Sequence, residues 1–141
     1  METDRRILAV DPGEKRIGVA ISDPTMTIAS PLGVIRHTSM KLDAAQIAQL
    51  AVDNHIQSIV VGLALGAEGE STPSSRHAEK FAEAIQTQTA IPVILWDESG
   101  STRTARQARI DMGLSRARRS GHMDEMAAVV ILQTYLDERH T

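Results

Sequence analysis

Three acidic residues lie far apart in the sequence, at Asp11, Glu98 and Asp124, yet each occupies a position from which a carboxylate can reach a shared site. Asp11 and Glu98 each follow a short apolar run, and Asp124 lies at the start of a long apolar segment. Carboxylates that come together repel one another unless a cation lies between them. A few carboxylates, together with phosphate oxygens of a substrate, are the usual ligands of Mg²⁺. The three residues therefore predict a divalent metal site, where two ions would activate a water and stabilise the leaving oxygen of a phosphodiester.

Each acid also has a simpler explanation. Asp11 precedes Pro12 and Gly13, and aspartate is a common residue at such turns. Glu98 could be a solvated residue at the end of a strand, and Asp124 could interact with the dipole at the start of a helix. The metal-site hypothesis depends on all three carboxylates meeting at one edge of the fold.

A basic segment separates Glu98 from Asp124. Residues 99–121 carry a net charge of +5, whereas the rest of the chain carries −8. Three of the arginines recur every third residue, which places them along one face of a helix, and three more lie just before Asp124. Arginine suits phosphate because its planar guanidinium can bond to two oxygens at once. A solvated helix face is the alternative. The predicted substrate-binding residues are Arg103, Arg106, Arg109, Arg116, Arg118 and Arg119. Lys15 and Arg16, in the hairpin turn after Asp11, are predicted to extend this set, and the alternative is that they are an ordinary pair of charged hairpin residues.

The strands that must position these residues can be read from the apolar pattern. The first two apolar runs are close enough to pair as an antiparallel hairpin, and a third, weaker run follows. Two later runs are apolar without interruption, which is typical of strands that are covered on both faces. The strands are predicted at residues 7–10, 17–21, 31–35, 59–63 and 93–96.

Helices are predicted between and after the later strands. A Gly- and Ser-rich loop at residues 66–75 precedes the second of them, and Ser101 or Thr102 can cap the third. The helices are predicted at residues 41–54, through residues 78–85, after residue 101, and at about residues 123–138. This order predicts one domain over residues 1–141, with an α/β fold in which a mixed sheet has helices on both faces.

In folds of this kind the working site lies at the carboxyl ends of the parallel strands. Asp124 shares a helix face with Ala127, Ala128 and Ile131. This face is predicted to look at the sheet, because the alanines allow the helix to approach closely. The geometry would bring Asp124 to the edge at which Asp11 and Glu98 end their strands.

The composition excludes several classes of protein. The 141 residues include no cysteine, which excludes a disulfide framework and a thiolate zinc site and suits a reducing cytoplasm. The first six residues are polar where a signal peptide would be apolar, and no apolar run approaches the roughly 18 residues of a membrane span. Phe81, Trp96 and Tyr135 are the only aromatic residues, which argues against base stacking. The five histidines show no tight metal-binding spacing and are interpreted as surface or incidental residues, and His122, two residues before Asp124, is the one that could reach the site.

The net charge of −3 would argue against nucleic acid if it were evenly spread. Because the positive charge is concentrated between two of the predicted metal ligands, the distribution instead favours an enzyme that handles backbone phosphates through arginine and metal.

The motif at residues 8–24 resembles the opening motif of the YqgF/RuvX family, whose members are described as Holliday-junction-resolvase-like proteins and pre-16S rRNA nucleases. It reads Leu-Ala-Val-Asp-Pro-Gly-Glu-Lys-Arg-Ile-Gly-Val-Ala-Ile-Ser-Asp-Pro. Further matches follow in the same order over nearly the whole chain: Val60-Val61-Gly62-Leu63, Leu95-Trp96-Asp97-Glu98, Ser101-Thr102, and Asp124 before Ala127-Ala128 and Ile131-Leu132-Gln133.

The resemblance implies a ribonuclease H-like fold with a five-stranded mixed sheet, and it assigns the family's metal-binding acids to Asp11, Glu98 and Asp124. The chain departs from the family at two places. Ser99 stands where the family usually has an arginine, and residues 64–69 lack the family's usual Pro, Asn and Asp-Gly.

The sequence therefore favours a nuclease that uses Mg²⁺ or Mn²⁺, with two ions expected, and that processes the 5′ end of precursor 16S rRNA in the cytoplasm. Branched DNA is the second candidate substrate, for which a homodimer is expected because two strands must be cut symmetrically. A non-catalytic binder of nucleic acid or ribosomes is the third candidate. A sugar-kinase-like or ATPase fold is disfavoured because it needs two such domains.

Overall fold

The computed structural model describes residues 5–97 and 126–139. Within these ranges, five strands form one sheet in the order β3-β2-β1-β4-β5, and helices cover both of its faces. The elements are β1 Arg6–Pro12, β2 Arg16–Ser22, β3 Ala29–Arg36, α1 Met40–Asp53, β4 Ile56–Leu63, α2 Pro73–Gln86, β5 Val93–Asp97 and α3 Met126–Arg139. The predicted strands and the three predicted helices that fall in the described ranges are confirmed.

The sheet is mixed, as the sequence predicted. Strands β1, β2 and β3 pair antiparallel, whereas β4 runs parallel to β1 and β5 runs parallel to β4. The hairpin between β1 and β2 turns in three residues and depends on Gly13, because a Cβ at this position would lie 2.4 Å from the carbonyl oxygen of Arg16. The carboxyl ends of β1, β3, β4 and β5 and the β1–β2 turn therefore share one edge of the sheet.

The two faces of the sheet are packed differently. Helices α1 and α2 cover a face on which the strands present mostly Leu, Ile and Val, and Phe81 of α2 is buried against it. Helix α3 covers the opposite face, where the strands contribute the small side chains of Ala9, Ala20 and Ala29. Successive residues of β1 point to opposite faces, so Leu8 and Val10 pack under α1 and α2, whereas Ile7 and Ala9 pack under α3.

Helix α3 approaches the sheet closely at β4. An added Cβ at Gly62 would lie 2.3 Å from Cδ1 and 2.7 Å from Cγ1 of Ile131, so a larger residue here would require the Ile131 side chain or the helix to shift. A buried amide fixes the other side of the helix, since Gln133 accepts a hydrogen bond from the backbone N–H of Ala29 and donates one to the carbonyl of Thr27, each at 3.0 Å.

The loop that was predicted at residues 66–75 is shorter than expected. Helix α2 already begins at Pro73, because the side chain of Thr72 caps it and exchanges hydrogen bonds with Ser75 in a capping box. The prediction was wrong for residues 73–75, whose Pro and Ser favour a helix start as well as a loop. None of the described helices is long and apolar enough to cross a membrane.

Candidate metal and nucleic-acid site

Asp11 is the predicted ligand whose surroundings the structure describes. It lies near the end of β1, the central strand, opposite Gly18 of β2. Ile7 and Ala9 of the same strand pack under α3, so the alternation of the strand places Asp11 on the α3 face as well. The position at the carboxyl edge of a parallel pair agrees with the prediction.

The carboxylate of Asp11 is half-buried. Burial raises its pKa above the ordinary value, since desolvation disfavours the charged form. Within residues 5–97 and 126–139, no side chain donates a hydrogen bond to it or forms a salt bridge with it. A desolvated oxygen ligand without such compensation fits a hard cation, which would restore the stabilisation that the carboxylate loses on leaving water.

Helix α3 points its first turn toward this edge. Ile131 packs over Gly62, which follows the last pair between β1 and β4 and therefore lies beside Asp11. Gln133, farther along the helix, contacts the start of β3, at the opposite edge of the sheet. The helix therefore runs away from the carboxyl edge, and Met126 lies one turn or more beyond Ile131 on the side of that edge.

The contacts of α3 confirm one part of the predicted helix face and correct another. Ala128 and Ile131 are buried against the sheet, as expected. Ala127 is exposed, so the prediction that it contacts the sheet was wrong. Ala128, in the same turn, is fully buried, so the first turn of the helix meets the sheet through Ala128 and not through Ala127.

Two of the predicted metal ligands lie just outside the described residues. The description ends at Asp97 of β5, one residue before Glu98, and resumes at Met126, two residues after Asp124. Asp97 is paired with Leu63, at the same edge as Asp11. Among the described residues, no group of three His, Asp or Glu side chains could hold a metal ion. The predicted arginines outside the described residues are Arg103, Arg106, Arg109, Arg116, Arg118 and Arg119.

The basic residues of the β1–β2 hairpin lie at the edge that the sequence predicted. Lys15 and Arg16 are both exposed, at the end of the turn that follows Asp11. Arg16 pairs across the strands with Arg36, the last residue of β3, which is exposed too. Sequence reasoning missed Arg36, because only the register between β2 and β3 brings it opposite Arg16.

A histidine and a buried carboxylate fix the chain directly after Arg36. Nδ1 of His37 lies 2.5 Å from the carboxylate of Asp43, which is 1% exposed. The same carboxylate accepts hydrogen bonds from the backbone N–H and the hydroxyl of Thr38. His37 is exposed, as predicted, but it is tied to the first turn of α1. Its spacing of six residues from Asp43 is not a pattern that identifies such a pair in a sequence.

The opposite side of Asp11 is acidic. The loop between β4 and α2 carries Glu68 and Glu70, both exposed, and no basic residue. It is closed by hydrogen bonds between the backbones of Gly66 and Glu70 and between the Thr72 hydroxyl and the carbonyl of Ala64. Among residues 5–97 and 126–139, the edge therefore changes sign across Asp11, from a basic β2–β3 side to an acidic β4 side.

Comparison with known proteins identifies a family. A family model with the description "RuvX: Holliday junction resolvase" matches residues 5–138. A protein from Syntrophomonas wolfei named "Putative pre-16S rRNA nuclease" is 39% identical over 132 residues, which is 94% of this chain and 94% of that protein. A protein of the same name from Thermoanaerobacter pseudethanolicus is 40% identical over 135 residues, covering 95% and 97%.

Solved structures share the fold. RuvC from Thermus thermophilus, in complex with a Holliday junction, superposes with a TM-score of 0.63 at 14% identity and covers 96% of each chain. The fowlpox virus Holliday junction resolvase gives a TM-score of 0.54 at 17% identity, covering 95% of this chain and 99% of that one. The fold of this chain is therefore the ribonuclease H-like fold that its sequence motif implied.

Proposed function

Because the chain belongs to the RuvX family, we propose that it is a nuclease that hydrolyses phosphodiester bonds at the sheet edge around Asp11. The observation that most directly supports this proposal is the environment of the Asp11 carboxylate. It is half-buried on the central strand, its pKa is raised by burial, and it has no hydrogen-bond or salt-bridge partner among the described residues. An ordinary turn aspartate would be solvated or would cap its own turn.

The proposed metal ligands are Asp11, Glu98 and Asp124. The positions of the flanking elements support this assignment. Strand β5 ends at Asp97, one residue before Glu98, and α3 begins at Met126, two residues after Asp124, both at the edge where Asp11 lies. Divalent ions, Mg²⁺ or Mn²⁺ and two in number, would supply an activated water and a counter-charge for the leaving oxygen.

The remaining contributions belong to the protein itself. The fold supports Asp11 on a central strand rather than on a loop, which holds its carboxylate in one orientation while the substrate binds. Partial burial excludes water from that carboxylate and strengthens its electrostatic interactions. Lys15 and Arg16, with the arginines of residues 103–119, would hold the phosphate backbone in the orientation that the attack requires.

Precursor 16S rRNA is the proposed substrate, at its 5′ end. Relatives that carry this activity in their names are 37% to 40% identical over nearly the whole chain. Ribosome precursors are cytoplasmic in bacteria, and a chain without cysteine suits that compartment. Family coverage of residues 5–138 supports a single nuclease domain.

Branched DNA is the second candidate, and one observation favours it: the description of the matching family model is that of a Holliday junction resolvase. Symmetric cleavage of a junction would require a homodimer, whereas trimming of an RNA end would not. The two candidates therefore differ in substrate and in oligomeric state.

The deciding experiment incubates the purified protein with an end-extended 16S rRNA precursor, a four-way DNA junction and a plain DNA duplex, with Mn²⁺ and with EDTA. We expect cleavage of the rRNA precursor with Mn²⁺ only. Cleavage of the junction alone would favour the second candidate, and cleavage of none would overturn the nuclease proposal.

The matched control uses two neutralised acids. Asp11→Asn should lower the cleavage rate by about a thousandfold or more, because it removes a ligand on which the activated water depends. Asp53→Asn changes an exposed carboxylate at the end of α1 and should leave the rate unchanged. Equal rates for Asp11→Asn and the wild type would place the catalytic site elsewhere.

A further inference from the structure

Two arginines face each other across adjacent strands at the rim of the proposed site. Arg16 begins β2, Arg36 ends β3, and the register pairs them directly. Like charges at directly opposed positions of an antiparallel pair reduce the stability of the sheet. The side chain of Arg36 is exposed and makes no hydrogen bond or salt bridge with any residue in the described ranges. Within residues 5–97 and 126–139, no side-chain contact therefore accounts for an arginine at this position.

The pair lies on the same face as the proposed metal ligand. Asp11 is opposite Gly18 of β2, and Gly18 is opposite Val34 of β3. Arg16 and Arg36 each lie two residues farther along those strands, so the alternation of side chains returns both to the face of Asp11. With strands about 4.8 Å apart and a rise of about 3.4 Å per residue, their Cα atoms lie roughly 8 Å and 12 Å from that of Asp11.

The end of β3 is held in place. Arg36 is followed by His37, whose backbone N–H donates a hydrogen bond to the carbonyl of Lys15 at 2.9 Å. Its ring is bonded to the buried carboxylate of Asp43, which also accepts from Thr38. These bonds fix the backbone on the carboxyl side of Arg36, so that little freedom is lost there when a ligand binds.

We propose that Arg36, with Arg16 opposite it, binds phosphates of the substrate backbone on the β3 side of the cleaved bond. A Cα separation of roughly 12 Å from Asp11 places Arg36 within a few nucleotides of the cleaved bond along the backbone. The Arg36 guanidinium would contact phosphate oxygens, which accounts for a second arginine opposite Arg16 at this rim. The inference rests on the proposed nuclease function and assigns it a contact outside the basic segment at residues 99–121.

The first test measures binding in an Asp11→Asn background, in which the substrate stays intact. Arg36→Gln should weaken binding of the 16S precursor RNA about fivefold and lower the slope of log affinity against log salt by about 0.7 to 0.9. Arg5→Gln removes the same charge from an exposed residue at the opposite end of β1, and it should leave both quantities unchanged. Arg36→Lys should recover part of the affinity, because it retains the charge without the planar fork.

Thermal unfolding separates a binding role from a structural one. Arg36→Gln should leave the midpoint unchanged or raise it slightly, because it removes a like-charge pair. A lowered midpoint with unchanged affinity and salt slope would overturn the proposal. So would equal effects of Arg36→Gln and Arg5→Gln on binding.

The second test locates the contact. Substrates are shortened one nucleotide at a time on either side of the cleaved bond, and wild type is compared with Arg36→Gln. The difference should disappear on one side only, once fewer than about three nucleotides remain there. A difference that persists at all lengths would overturn the assignment.

Cleavage by the wild type tests the nuclease function separately. If the protein bound RNA through Arg36 but cleaved no substrate, the phosphate contact would be retained and the nuclease proposal would be rejected.

Discussion

The two faces of the sheet differ in the size of their residues and in what they do. On the face covered by α1 and α2, the strands present large apolar side chains: Leu8, Val10, Ile17, Val19, Ile35, Ile59 and Val61. On the face covered by α3, three of the strands contribute alanine and β4 contributes Gly62. Asp11, Arg16 and Arg36 all belong to this second face.

The difference shows how stability and the site are separated in the fold. Large residues fill the α1/α2 face, and burial of apolar area there stabilises the protein. Small residues bring α3 close to the sheet. The end of β5 and the start of α3, which flank residues 98–125, are therefore both held at the edge where Asp11 lies. Substitutions on the first face should therefore change stability, and those on the second should change activity.

The largest expected effect on stability comes from the α1/α2 face. Phe81 is 2% exposed, and Phe81→Ala leaves a cavity under α2. The free energy of unfolding should fall by about 3 to 5 kcal/mol, as measured by urea denaturation. At a temperature where the variant remains folded, its cleavage rate should equal that of the wild type. A rate that fell in parallel with stability would contradict the separation of the two faces.

Gly62→Ala on the α3 face should combine a smaller loss of stability with a larger loss of activity. The new methyl group would overlap Cδ1 and Cγ1 of Ile131, which costs about 1 to 3 kcal/mol of unfolding free energy. A shift of α3 that relieves this overlap would displace the groups at the start of the helix relative to Asp11, and displacements of about 1 Å can lower rates about a hundredfold.

A double-mutant cycle tests this mechanism. Ile131→Val shortens the side chain that the new methyl group meets, so the pair Gly62→Ala and Ile131→Val should be more stable than the sum of the single effects indicates. Additive effects would show that the loss in Gly62→Ala has another origin.

Two carboxylates on opposite sides of the sheet, the buried Asp43 and the half-buried Asp11, should respond in opposite directions to neutralisation. Asp43 in α1 accepts hydrogen bonds from Thr38 and lies against Nδ1 of His37. Asp43→Asn removes its charge-assisted bonds and should lower the unfolding free energy by about 1 to 3 kcal/mol. Asp11→Asn removes a desolvated charge and should not lower it. Destabilisation by both would indicate that Asp11, too, is a structural residue.

Much of the fold could be predicted from local patterns. The apolar run at positions 7–10 predicted a strand, and the turn after Asp11 was predicted from Pro12 and Gly13. Such predictions succeed because strand alternation and turn chemistry depend on neighbours in the sequence.

What could not be predicted depends on contacts between distant segments. The requirement for Gly62 arises from Ile131, almost seventy residues away in sequence. The pairing of Arg36 with Arg16 depends on a register that shifts between Val19 and Ala20, and no local signal specifies such an irregularity. The same holds for Gln133, whose polar side chain is buried because β3 offers it an N–H and a carbonyl.

The smallest effect, and the one most specific to Asp11, is a change of stability with pH. Burial raises the pKa of Asp11 above its ordinary value, so ionising this carboxyl in the folded protein costs free energy. Its favourable contribution is therefore present below the unfolded pKa and is lost as the pH rises through the folded pKa. Without metal, Asp11→Asn should be slightly more stable than the wild type at neutral pH, and the difference should fade toward about pH 4.

Added Mg²⁺ should reverse the order at neutral pH, since binding to the ionised carboxylate stabilises only the wild type. Chemical denaturation at several pH values, with EDTA or with Mg²⁺, measures both effects. If Mg²⁺ raised the stability of Asp11→Asn as much as that of the wild type, the ion would be binding without Asp11. The α3 face would then hold a buried carboxylate with no cation to compensate it, and the functional contrast between the two faces would fail at its central residue.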